Sequence, residues 1–111
     1  MKYFMFIAED PNADPYVPEE DDIVGWVHEM VERDIDREGD RLQPADRERT
    51  VRIRNDELIV TEGPFTESRE VIAGYGVIEC ADLDEAIEVT SRHPMARFGR
   101  IELRPFWPFE G

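Results

Sequence analysis

The chain has 111 residues, of which 27 are acidic and 13 are basic, so its formal net charge at pH 7 is −14. Single domains most often have about 100–150 residues, which excludes two compact domains, a solenoid and a transmembrane bundle. Hydrophobic residues make up 41% of the chain, enough for a buried core, and an acidic surface repels phosphate backbones and anionic membranes. We therefore expect one domain over residues 1–111 that binds neither nucleic acid nor membranes.

The use of cysteine and the start of the chain both favour a cytoplasmic protein. Cys80 is the single cysteine, so the chain cannot form an internal disulfide, which suits a reducing compartment. The apolar run at 1–8 ends at Glu9 and Asp10. It is too short for the hydrophobic region of a signal peptide.

The first half of the chain predicts a strand, a helix and a hairpin. Residues 2–8 place apolar side chains on both faces of a strand, which predicts that the strand is covered on both sides. Apolar residues recur at helical spacing from 19 to 38, with Gly39 as the expected C-terminal stop. After a short strand or connection at 42–45, two alternating runs flank a turn at 55–57 and predict a hairpin.

The second half predicts a strand, a helix, a last strand and an aromatic tail. Residues 71–79 form a second strand that is apolar on both faces. Asp82 and Glu85 match the capped start of a helix. The residues expected to form the buried stripe of this helix are Leu83, Ala86, Ile87 and Thr90. Residues 100–104 form a last strand with one wet face, and the tail at 105–111 is unusually aromatic.

The order of these elements favours an α+β fold. A split β-α-β arrangement with an antiparallel sheet and both helices on one face fits strand, helix, hairpin, strand, helix, strand. Because two strands are apolar on both faces, something must cover the second face of the sheet, and a second copy of the chain is the simplest cover. We expect a face-to-face homodimer, in which the aromatic tail packs across the partner or folds back on its own subunit.

The segment TEGPFTESRE at 61–70 resembles the signature D-G-P-F-x-E-x-K-E of the DGPF branch of the YCII-related proteins. Glu62 stands for the aspartate of the signature and Arg69 for its lysine. Supporting matches occur in the expected order along nearly the whole chain, as MKY at 1–3, VRIR at 51–54, AGY at 73–75, DLDEA at 82–86 and ARFG at 96–99. The resemblance implies a ferredoxin-like fold that dimerises through its sheets as a dimeric α/β barrel, and it implies no particular reaction.

The resemblance also implies a candidate pair of catalytic histidines. In the wider YCII-related group, a histidine on the first helix faces an aspartate across a cleft. His28 matches that histidine and His93 matches the acid, so a His–His pair would replace the His–Asp pair. Imidazole titrates near neutral pH and suits acid–base catalysis. The spacing from Val24 and Val31 predicts that His28 points toward the sheet, whereas His93 could instead cap the last carbonyls of the second helix in its charged form.

Four further side chains are candidate ligand-binding residues: Glu62, Phe65, Tyr75 and Arg97. Glu62 would act as an acid or hydrogen-bond acceptor, Tyr75 offers a phenol, and Arg97 would contact an anion. Each has a structural alternative. Glu62 and Phe65 belong to a sharp turn, Tyr75 needs a partner if it is buried, and Arg97 can pair with the abundant carboxylates.

These residues support three functional hypotheses. The leading one is a small cytoplasmic homodimer that binds a small molecule in a cleft between sheet and helices, with His28 and His93 as candidate acid–base groups. The alternative is a non-catalytic regulatory or interaction module, since DGPF proteins are often encoded beside alternative sigma factors. A third, taken from other dimeric α/β-barrel proteins, is a cofactor-independent monooxygenase or a haem binder with His28 as axial ligand. No metal or cofactor is otherwise expected, because no cysteine or carboxylate spacing completes a first shell.

Overall fold

The computed structural model describes residues 1–62 and 72–108. In this part of the chain the strands and helices are β1 (Lys2–Ala8), α1 (Ile23–Glu32), β2 (Asp36–Arg41), β3 (Arg49–Arg54), β4 (Glu57–Glu62), β5 (Ile72–Glu79), α2 (Leu83–Ser91), α3 (Met95–Phe98) and β6 (Arg100–Pro105). A helix that crosses a bilayer needs about 20 apolar residues, and none of the helices described here has such a stretch.

The main sheet contains four strands in the order β2-β5-β1-β6, and all neighbours are antiparallel. This order is consistent with a ferredoxin-like sheet, in which α1 joins β1 to β2 and α2 joins β5 to β6. Strands β3 and β4, which follow β2 and precede β5 along the chain, form a separate two-stranded hairpin. The prediction of an α+β fold with antiparallel strands is confirmed.

The core lies between one face of the main sheet and the two longer helices. Its largest fully buried side chains are Met5 from β1, Ile78 from β5, Met30 from α1 and Val89 from α2. Because α1 and α2 both contribute to this one cluster, they cover the same face of the sheet.

The other face of the main sheet is aromatic. The rings of Phe4 and Phe6 have centroids 4.6 Å apart, and Phe4 stacks on Tyr75 at 5.7 Å. Phe106, directly after β6, lies 6.4 Å from Phe4, so the start of the tail folds back on its own subunit, while Trp107 is 94% exposed. We call Phe4, Phe6, Tyr75 and Phe106 the aromatic sheet face.

Helix α1 ends earlier than its sequence indicated. Asp22 caps its N-terminus, but Asp34 takes a left-handed backbone conformation with φ of 57°, which ends the helix at this point. Ile35 then enters the core from outside the helix. The predicted helix over 19–38 was wrong at both ends, and Gly39 lies inside β2 instead of stopping a helix.

Strand β2 was missed because its residues, DREGDR, contain no apolar side chain. It lies at the edge of the main sheet and pairs only with β5 among the described strands. Charged side chains are favoured on edge strands, where they prevent pairing with other chains. An edge strand of this kind has no alternation of apolar and polar residues, so its own residues do not indicate it. The short strand or connection predicted at 42–45 lies in the connection that follows β2.

The hairpin turn and the start of α2 agree with the sequence. Asn55 and Asp56 both have positive φ, 52° and 62°, as a two-residue type I′ turn requires. At α2, the Asp82 carboxylate accepts from the Glu85 N–H at 2.9 Å, and the Glu85 carboxylate accepts from the Ala81 N–H at 2.9 Å.

The buried stripe of α2 differs from the expected one. Ala86 and Thr90 are buried as predicted, together with Val89, but Leu83 and Ile87 are 51% and 52% exposed. The helix turns its charged flank toward the end of α1. Arg33, the residue directly after α1, forms ion pairs with Glu85 and Glu88 on that flank. Leu83 and Ile87 are not on the flank that carries these ion pairs.

Candidate functional site

A groove of about 520 Å³ lies where α1 meets the end of α2 and the start of α3. The groove is lined by three buried aromatic side chains, which we call its floor: Trp26, His93 and Phe98, which are 6%, 5% and 9% exposed. Charged side chains of both signs surround this floor, namely Glu20, Asp22, Glu29, Arg92 and Arg97. The aromatic floor offers apolar contact and the charged side chains around it offer polar partners, so the groove combines both kinds of group that bind a small molecule.

Trp26 joins the groove to the protein core. It lies one helical turn before Met30, on the buried side of α1. Its indole Nε1–H donates to the Val89 carbonyl of α2 at 2.8 Å, which satisfies a buried polar group. The His93 ring meets the indole edge-on, with centroids 4.7 Å apart. The position of the floor is therefore set by contacts between two helices.

His93 is held as a neutral imidazole. The Met95 backbone N–H donates to its Nδ1 at 3.0 Å, and a neutral ring that accepts at Nδ1 carries its proton at Nε2. Burial lowers the pKa of His93 to about 4, although the nearby Asp21 carboxylate acts in the opposite direction. At neutral pH this side chain therefore supplies one N–H donor at Nε2.

This arrangement corrects the expected role of His93 as a charged cap on α2. The imidazole accepts from the first backbone N–H of α3 and donates to no carbonyl of α2 among the described residues. The dipole of α2 favours a cationic ring, but desolvation outweighs it because the side chain is buried between Trp26 and the chain turn at 93–95.

The arginines on the rim are already paired with carboxylates. Arg97 contacts Asp14 at 3.0 Å through Nε and Glu20 at 3.4 Å through Nη1. Arg92 contacts Glu29 at 2.7 Å. Because these pairs are largely exposed, each contributes little to stability and can rearrange. Arg97 therefore has the surface pairing that was the alternative to anion binding, although it does line the groove.

His28 lies on the outer side of α1. It is exposed, and it follows Trp26 by two residues, which places it about 200° away around the helix. The predicted orientation toward the sheet was wrong because Val24 and Val31, used to define the buried side, are 63% and 58% exposed. The structure does not bring His28 and His93 together in one cleft.

Tyr75 belongs to the aromatic sheet face and not to the groove. Its hydroxyl donates to Glu38 Oε1 of β2 at 2.7 Å. This hydrogen bond to a carboxylate raises the pKa of Tyr75 above its usual value. The phenol thus has a protein partner on the side of the sheet opposite the helices.

The signature segment contributes one described candidate, Glu62. It is exposed at the end of β4, where it pairs with Arg49 across the hairpin. Phe65 lies outside the described residues. Of the six candidate residues, the described structure therefore places His93 and Arg97 in one groove and leaves His28, Tyr75 and Glu62 elsewhere.

The side chains that commonly bind metals do not form a metal site in the described part of the chain. Within residues 1–62 and 72–108, no group of three or more His, Cys, Asp or Glu side chains is close enough to hold a metal ion. His28, the candidate axial ligand for haem, has an exposed side chain on α1 and is not part of the groove.

Sequence reasoning overlooked the two aromatic residues that complete the floor. Trp26 shares a helix face with Met30, four residues later, and that spacing was a usable signal. Phe98 occurs in the ARFG segment at 96–99 that supported the family resemblance. Nothing in the local sequence indicated that Trp26 would meet His93 or that Phe98 would line the same groove.

Comparisons with known proteins identify the family of this chain. A protein of Rhizobium meliloti (strain 1021), named Uncharacterized protein R00369, is 38% identical to this chain over 69 residues. The alignment covers 59% of this chain and 54% of that protein, so the chain spans about half the length of this relative. The sequence model of the YCII-related domain matches residues 1–110, and the protein therefore belongs to the YCII-related domain family.

Proposed function

We propose that this protein is a homodimer of the DGPF branch that binds a small polar molecule in the groove above Trp26, His93 and Phe98. The observation that carries this proposal is the neutral, buried His93, whose Nδ1 is occupied by the Met95 N–H. That hydrogen bond leaves the Nε2–H as a donor in an aromatic groove, where one oriented polar group gives a ligand its direction. The EGPF sequence at 62–65 supports the assignment to the DGPF branch.

The pKa of His93 favours binding over acid–base catalysis by this residue. An efficient general base has a pKa near the working pH, whereas burial lowers the pKa of His93 to about 4. The imidazole is therefore neither a cationic acid nor a strong base at neutral pH. A ligand with a carbonyl, carboxylate or hydroxyl oxygen would accept from the Nε2–H while an apolar part covers the two aromatic rings.

Fluorescence of Trp26 tests the binding proposal. The chain has two tryptophans, so Trp107→Phe leaves Trp26 as the single emitter. This variant would be titrated separately with small amides, carboxylates and primary alcohols. We expect a saturable change in emission for at least one of these classes, and His93→Phe, which keeps a ring but has no N–H donor, should weaken that binding about tenfold, as the loss of one hydrogen bond does.

His28→Phe is the matched control, because it makes the same change at the other histidine, on the exposed side of α1. It should leave the titration curve unchanged. Failure of every probe class to give a saturable signal would contradict small-molecule binding in the groove and would favour the interaction module. Equal weakening by the two histidine variants would contradict the assignment of the site to His93.

The proposed homodimer would bury the aromatic sheet face. The surface area of one chain is 8543 Å², about 2,200 Å² more than a compact monomer of this mass exposes. The radius of gyration is 16.2 Å, against about 13 Å for a compact chain of this length. Two such chains have an excess of about 4,400 Å², which lies within the roughly 2,000–5,000 Å² that obligate homodimers bury in total.

Sedimentation velocity tests this dimer. We expect the natural chain to sediment as a dimer and Phe4→Glu, which places a charge in the aromatic sheet face, to sediment as a monomer. Val24→Glu places the same charge on the exposed side of α1 and should keep the dimer. An intact Phe4→Glu dimer would contradict the proposed interface, and circular dichroism would verify that both variants are folded.

A further inference from the structure

The hairpin β3–β4 has an apolar face that is exposed to solvent. Val51 pairs with Val60 and Ile53 pairs with Leu58 across the ladder, and directly opposed residues lie on the same side of a sheet. Their exposed fractions are 65%, 54%, 65% and 67% in that order. We call these four residues the hairpin face.

The other side of the hairpin is less exposed although it is more polar. Its central residues are Thr50, Arg52, Ile59 and Thr61, and all four are partly buried. A hairpin that packs its apolar side on its own chain would show the opposite pattern, with apolar residues inside and polar residues outside. Two strands alone are marginally stable in water, and residues 1–62 and 72–108 supply no surface that covers the hairpin face.

The aromatic sheet face is less exposed than the hairpin face. Phe4, Phe6 and Tyr75 are already partly buried against one another, and Val77 beside them is 9% exposed. Every residue of the hairpin face is more than half exposed. Four aliphatic side chains also fall short of the roughly 800 Å² that each partner contributes to a stable interface. The hairpin face therefore fits as the extension of a larger interface.

We propose that the hairpin face packs against the second copy of this chain and forms an arm of the homodimer. This inference rests on the homodimer proposed above. The second copy is the occupant that the area favours, because two chains together have a surplus of about 4,400 Å², which lies within the range that an obligate dimer buries. Arg49 and Glu62 lie opposite each other at one end of the same side. In a symmetric dimer each can form an ion pair with the residue of opposite charge in the second copy.

Two neighbouring residues provide a matched test. Leu58→Lys places a charge on the hairpin face, whereas Glu57→Lys places the same side chain on the other side of β4, one residue away. We expect Leu58→Lys to raise the dimer dissociation constant at least tenfold in sedimentation equilibrium, and Glu57→Lys to change it less than twofold. Because Glu57→Lys reduces the net negative charge more, relief of charge repulsion cannot produce the expected difference. Val60→Lys provides a second variant on the same face.

The outcomes separate the arm from the dimer itself. If Leu58→Lys and Val60→Lys leave the dissociation constant unchanged while Phe4→Glu raises it, the arm is rejected and the sheet-face dimer stands. If the natural chain is monomeric, both proposals are rejected. Equal weakening by Glu57→Lys would also overturn the arm, since the effect would then not depend on the apolar side of the hairpin.

Discussion

Replacing Trp26 with alanine is expected to lower the free energy of unfolding by about 3–5 kcal/mol. The indole is 6% exposed, and its removal leaves a cavity between α1 and α2. It also removes the donor to the Val89 carbonyl, which becomes an unsatisfied buried acceptor. Urea unfolding at one fixed protein concentration measures the loss, because the stability of a dimer depends on concentration.

Trp107→Ala is the control for this prediction, because it removes the same side chain at a position that is 94% exposed. Its effect should stay within about 0.5 kcal/mol, as for other surface substitutions. A loss below about 1 kcal/mol for Trp26→Ala would contradict the role of this residue as a core residue that packs α1 against α2. The floor of the groove would then be a surface feature and not a part of the core.

His93→Gln is expected to reduce the dependence of stability on pH between 6.5 and 4. Burial lowers the pKa of His93 from 6.5 to about 4, so in this range the unfolded chain binds a proton that the folded chain does not. The free energy of unfolding therefore falls as the pH falls through this window. The contribution of the neutral His93 to stability is fully present above pH 6.5. The shift corresponds to roughly 3 kcal/mol between the two ends of the window.

The measurement is the difference in unfolding free energy between the natural chain and the variant at several pH values, since the carboxylates also titrate near pH 4. Glutamine retains an acceptor for the Met95 N–H but does not bind a proton in this range. His28→Gln, which alters an exposed residue outside the groove, should retain the natural slope. A His93→Gln protein with the same slope as the natural chain would show that His93 is accessible to protons in the folded state.

These two predictions concern the same place in the fold. Trp26 and His93 contact each other at the junction of α1 with the end of α2, so the groove floor is also part of the packed core. A ligand at this floor would meet side chains whose positions are already determined by folding. Such preorganisation lowers the ordering cost of binding, which favours the buried groove residues over the exposed His28 as the proposed site.

Several elements followed from local sequence alone. Asn55 and Asp56 form the predicted turn because the side chains at those two positions tolerate positive φ. Asp82 begins α2 because its carboxylate accepts from an N–H three residues ahead. Both effects act within a few residues, so neighbouring sequence is sufficient to predict them. The family could be inferred in the same way, from motifs distributed along the chain.

Strand β2 shows where local pattern fails. Its six residues are charged or glycine, and their strand conformation depends on pairing with β5, more than 30 residues later in the chain. A charged edge is compatible with that pairing because one side of the strand faces solvent. The information that makes 36–41 a strand lies in the apolar residues of β5 and not in its own sequence.

By itself the sequence determined the α+β class, the hairpin, the start of α2, the acidic surface and the family. The tertiary structure decided which side of each helix is buried. Val24 and Val31 have helical spacing as good as that of Trp26 and Met30, but the indole finds its partners in Val89, 63 residues away, and in His93. That packing turns His28 outward and encloses His93, because burial depends on contacts between distant segments that periodicity within one helix does not specify.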